Sequence, residues 1–212
     1  MTQEDRNFLS DNEQLDILAD AISDIGYWSW WTEQLPDIFQ IEFGGIQLYF
    51  PPTSPDRPPQ SRIALQFKYP TSVSFISRNA GTDDFNWIKD LHEDKMEPPT
   101  CSHGEFTFGN FDQIISLFNQ KTAFKTVHGS KPTKENALVE HIALVFWCGD
   151  MGFAIIAKEL KLLNHTGEIA LGDIADLNKK WWEYWRLYWD KRDTDESLPK
   201  DYACEVTIPL KS

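Results

Sequence analysis

Residues 38–76 contain the pattern that most constrains the fold of this chain. Residues 38–50 read IFQIEFGGIQLYF, two runs in which apolar and polar side chains alternate around Gly44 and Gly45. Such alternation is typical of half-buried β-strands, and paired glycines suit the positive φ of a two-residue hairpin turn. The sequence therefore predicts a β-hairpin over 38–50.

A proline-rich stretch follows, with five prolines in the sequence PPTSPDRPP at 51–59. Because proline has no backbone N–H, we predict an extended loop here. The runs IALQF and SVSFI, within 63–76, offer further strands. An isolated two-stranded hairpin is marginally stable in water, so we predict that the sheet continues across the loop.

Helical patterns flank this sheet. Apolar residues recur at helical spacing over 12–25, and 176–192 is the longest helical pattern in the chain. We also predict helices beginning near Thr82 and Asn110, a short strand at EFTF and a final strand at CEVTIPL. Residues 133–163 fit paired strands, two helices, or one of each.

The order of these elements predicts an α+β class, because the strands come early and the helices mostly later. At 212 residues, of which 41% are hydrophobic, the chain has the size and composition of one packed domain. We therefore predict a single domain over 1–212. Its antiparallel sheet, built from early hairpins at about 38–76, packs against helices that include an aromatic-rich C-terminal helix at about 176–192.

That C-terminal helix carries the densest aromatic cluster. At 100° per residue its rings fall within an arc of about 160°, opposite most of its charges. Contiguous apolar patches are rarely exposed on monomers, so we predict that at least two of Trp181, Trp185 and Trp189 are buried. If their rings face solvent instead, the helix becomes a candidate binding or dimerisation face, which leaves a homo-oligomer open.

The net charge is −13, and −9 of it lies in residues 1–42, where ten carboxylates face Arg6 alone. Phosphate repulsion argues against general binding to nucleic acid. On the first helix Asp16, Asp20 and Asp24 form a like-charge ladder, which a basic partner protein would relieve. The alternative is a solvated acidic surface. Residues 179–192 carry a local charge of +3, which either contacts an anion or pairs with the acidic excess.

A metal site is a second hypothesis. His92, Cys101 and His103 are ligand types that suit Zn²⁺, although their spacing differs from that of structural zinc modules. The alternative is a surface loop with a stray thiol.

A third hypothesis uses Asp150, Glu159 and Lys161. The run FAIIAKELK resembles the apolar strand that ends in E-x-K in the PD-(D/E)xK nucleases, over about a dozen residues, with Gly149 where that family has proline. The resemblance implies that two carboxylates hold Mg²⁺ and that the lysine assists attack by water.

These patterns lead us to expect a non-enzymatic interaction protein whose acidic N-terminal region binds a basic partner, with a metal-dependent hydrolase or nuclease-like enzyme as the alternative. No motif for a bound cofactor is present. Three cysteines, no secretory leader and no apolar run of membrane-spanning length predict a cytoplasmic protein without a membrane span.

Overall fold

The predicted antiparallel sheet is present in the computed structural model, which describes residues 12–23, 27–31, 34–52, 54, 59, 61–77, 106–108, 124–131, 142–148 and 151–193. The sheet has eight strands in this part of the chain. They are β1 (Tyr27–Trp31), β2 (Ile38–Gly44), β3 (Arg62–Ser77), β4 (Phe106–Phe108), β5 (Phe124–Gly129), β6 (Ile142–Cys148), β7 (Met151–Asn164) and β8 (Gly167–Ile169).

The strands follow the spatial order β1-β2-β3-β7-β6-β4, with β5 also paired to β3 and β8 also paired to β7. All the pairs are antiparallel. The long strands β3 and β7 form the centre, where β3 pairs with β2 along its first half and with β5 along its second. With the two α-helices described below, this arrangement confirms the α+β class.

Alternation along β2 and β3 gives the sheet two different faces. Phe39 lies opposite Phe67 in the register, and both belong to the main hydrophobic core. Gln40 lies opposite Gln66 on the other face, which we call the polar face. Apolar residues on the core face of β6 and β7 extend the core, as the stacked rings of Phe146 and Phe153 illustrate, with centroids 4.9 Å apart.

The ambiguous residues 133–163 contain paired strands. β6 and β7 are antiparallel, with Cys148 opposite Met151 at the end next to their connection. The strand predicted at EFTF is present as β4. The helices predicted near Thr82 and Asn110 and the final strand at CEVTIPL lie outside the described residues, and the single-domain prediction for 1–212 extends beyond them.

The predicted hairpin over 38–50 is wrong in its second arm. β2 ends at Gly44 and pairs with β3 and β1, and residues 45–49 form no strand. The Ile46 amide donates to the carbonyl of Ser61 (3.2 Å), so the chain leaves the sheet at this point. Burial still alternates along this segment: Ile46, Leu48 and Phe50 are buried, and the residues between them are partly exposed.

Proline inside a long central strand is accommodated by an irregularity. The register between β3 and β7 shifts between Pro70 and Ser72, and bulges are among the few places where a sheet tolerates proline. Tyr69 there has a φ of 49° and donates its amide to the Asp37 carbonyl at 2.7 Å. Gly129 packs so closely on Thr71 that an added Cβ would lie 1.9 Å from the Thr71 carbonyl oxygen.

Both described α-helices contribute side chains to the core. The predicted first helix is α1 (Asn12–Ser23), which contributes Leu18, Ala21 and Ile22 to the core. The predicted C-terminal helix is α2 (Ile174–Asp193), preceded by a 3-10 turn at Leu171–Asp173, and Ile174 joins the same core. The helices contact each other, and we call them the helix layer. Neither is long and apolar enough to cross a membrane, nor is any other helix in the described part.

Candidate interaction surface

Several large apolar side chains of α2 are exposed. Four large apolar side chains are strongly exposed in the described part of the protein, and three of them lie on this helix. Trp182 is 54% exposed, Leu187 49% and Trp189 47%. Exposed apolar residues are unremarkable when scattered singly. Trp182 and Trp189 are seven residues apart and therefore lie on the same side of the helix, which makes that side a candidate interaction site.

The prediction that at least two of Trp181, Trp185 and Trp189 are buried is therefore wrong. Trp181 is buried at 5% exposure, Trp185 is half-buried and Trp189 is exposed. The three rings contact one another in sequence from the buried Trp181 to the exposed Trp189. Trp181 contacts Trp185 edge-on, with ring centroids 5.8 Å apart, and Trp185 stacks on Trp189, with centroids 6.0 Å apart. An arc of 160° is too wide for one helix to bury completely against a flat layer, so its outer edge remains in solvent.

The segment predicted as the second hairpin arm instead fixes the helix layer. The Gln47 amide donates to the Ala21 carbonyl (2.8 Å) in the last turn of α1, where carbonyls lack helical partners. The Asn178 side-chain amide donates to the Gln47 carbonyl (2.9 Å), and the Tyr49 amide donates to the Leu177 carbonyl (3.1 Å). Both helices are thus tied to one strand-like segment, which holds them at fixed positions beside each other.

Basic side chains accompany the exposed rings. Lys179, Lys180 and Arg186 are exposed, and within the described part of the chain none of them forms an ion pair. Glu183 and Asp190 are also exposed on this helix. By helical geometry Lys179 and Arg186 lie next to Trp182, at i−3 and i+4. The outward side of α2 therefore combines exposed tryptophan with charges of both signs, since Glu183 and Asp190 lie four residues after Lys179 and Arg186.

The acidic ladder of α1 also points outward. Asp16 and Asp20 are exposed, on the side opposite Leu18 and Ile22, and neither carboxylate is ion-paired among the described residues. Asp24 lies outside the described residues. The structure thus places two members of the predicted ladder on the same layer as the Trp cluster, a grouping that no local sequence pattern indicated.

The polar face of the sheet holds a buried network that the sequence analysis did not anticipate. Arg62 forms an ion pair with Glu42, which is 5% exposed. Glu42 also accepts a hydrogen bond from the Gln40 amide (2.9 Å), and Gln40 accepts one from the Gln66 amide (2.9 Å). Polar residues at alternate positions of two neighbouring strands, such as Gln40 and Glu42 beside Gln66, were the signal for such a network.

The nuclease-like candidates are partly described. Glu159 and Lys161 lie two residues apart on β7, so their side chains leave the same face of the sheet. The Lys161 ammonium is 2.5 Å from the Glu168 carboxylate, and Glu159 lies opposite Lys68 in the register. Asp150 lies outside the described residues, so the geometry of this triad stays a prediction.

The predicted zinc ligands His92, Cys101 and His103 also lie outside the described residues. Within the described ranges no group of three or more His, Cys, Asp or Glu side chains is placed to hold a metal ion. The zinc hypothesis is neither supported nor contradicted by the described strands and helices.

No family model, curated protein or solved structure matches this chain. Its function is therefore inferred from its own surface.

Proposed function

We propose that this protein is a non-enzymatic interaction protein that binds a basic protein partner through the outward surface of its helix layer. The observation that carries the proposal is the concentration of exposed Trp182, Leu187 and Trp189 on one helix of that layer. Tryptophan is enriched among the residues that dominate binding energy, because it buries a large area at little entropic cost.

Charge supports the choice of a basic partner. The exposed carboxylates of Asp16 and Asp20 repel each other at i and i+4, which costs a few tenths of a kcal/mol (about 0.2 to 0.5) on an isolated helix. A cationic partner would relieve that repulsion, and the net charge of −13 would steer such a partner toward the surface. The same charge disfavours nucleic acid as the partner.

The hydrogen bonds that connect the two helices also support the proposal. Binding costs less when the surface already has its bound shape. The hydrogen bonds from Gln47, Tyr49 and Asn178 hold α1 and α2 in register before any partner arrives.

Affinity capture with charge-matched variants tests the proposal. We expect basic proteins from the cell of origin to bind the immobilised wild type, and to be lost with the double variant Asp16→Asn/Asp20→Asn. The control Asp37→Asn/Glu168→Gln removes the same number of exposed carboxylates outside the helix layer and should retain them. Binding should also fade as the Debye length falls from about 10 Å at 0.1 M salt to about 3 Å at 1 M. A captured set that does not differ between the two double variants would contradict the proposal.

A metal-dependent hydrolase or nuclease-like enzyme stays the alternative prediction. One observation favours this enzyme: the side chains of Glu159 and Lys161 lie on the same face of a strand, as the E-x-K resemblance requires. The salt bridge of Lys161 to Glu168 weighs against it, since that contact occupies the ammonium group.

A further inference from the structure

We draw no further inference here: the strongest candidate, the surface patch at the irregularity in β3 where the exposed ring of Tyr69 lies beside the Lys158 ammonium, carries nothing, because nothing in the structure shows what covers it.

Discussion

The two faces of the central strands are both buried, but different forces hold them. On the core face, Phe39 and Phe67 pack ring against ring with centroids 6.3 Å apart, in contacts that have little directionality. On the polar face, Arg62, Glu42 and Gln40 form directed hydrogen bonds in a chain. Residues of the two faces are neighbours in sequence: Gln66 and Phe67 are adjacent, and their side chains lie on opposite faces of the sheet.

This difference predicts different responses to damage. A void in the core cannot be removed by a second deletion, because the lost contacts stay lost. A charge left without its partner can be removed by deleting the partner as well, and replacing both members of a buried pair with apolar residues is often neutral. Single and double substitutions therefore distinguish the two faces.

The largest expected effect is on the core face. Phe67→Ala should lower the free energy of unfolding by about 3 to 5 kcal/mol, because Phe67 is fully buried and contacts Phe39. Denaturant melts of the purified variant measure this loss. The milder change Phe67→Leu keeps most of the volume and should cost about half as much or less. A loss below 1 kcal/mol for the alanine variant would show that the site collapses around the void.

On the polar face, removal of one partner should cost nearly as much. Arg62→Met leaves the Glu42 carboxylate buried at 5% exposure without its cation, so we expect a loss of about 3 kcal/mol. The double variant Glu42→Leu/Arg62→Met removes the charge too, and should recover most of that loss. Denaturant melts of both variants test this, and a double variant no more stable than Arg62→Met would mean that the two faces do not differ in this way.

Much of the fold could be predicted from the sequence because its signals are local. The period of 3.6 residues located α1 and α2, and the period of two located β2 and β3 within 38–76. The prediction of a hairpin turn at Gly44 and Gly45 was wrong, because residues 46–50 form hydrogen bonds with groups that are distant in sequence instead of pairing with β2. They belong to Ser61, Ala21 and the first turns of α2.

The candidate surface was predictable only in part. Spacing alone placed Asp16 and Asp20 on one side of a helix, and the structure leaves both exposed. Spacing also grouped the tryptophans, but it did not reveal which edge of a wide aromatic arc would face the core. Trp181 is buried and Trp182 is exposed, although they are adjacent. That choice depends on how α2 docks on the segment carrying Gln47 and Tyr49, which no local pattern encodes.

The smallest expected effect concerns an exposed ion pair on the polar face. Lys161 and Glu168 form an ion pair, but their side chains are 29% and 55% exposed. Water solvates both groups, so the pair gains little over its separate, hydrated charges. Glu168→Gln should therefore change the free energy of unfolding by about 0.5 kcal/mol or less, and added salt should reduce even that difference. Denaturant melts at about 0.05 M and about 1 M NaCl measure it. A loss of unfolding free energy as large as that of Arg62→Met would show that the exposed pair matters as much as the buried one. It would also indicate that Lys161, which lies opposite Gln66 in the register, stabilises the buried network.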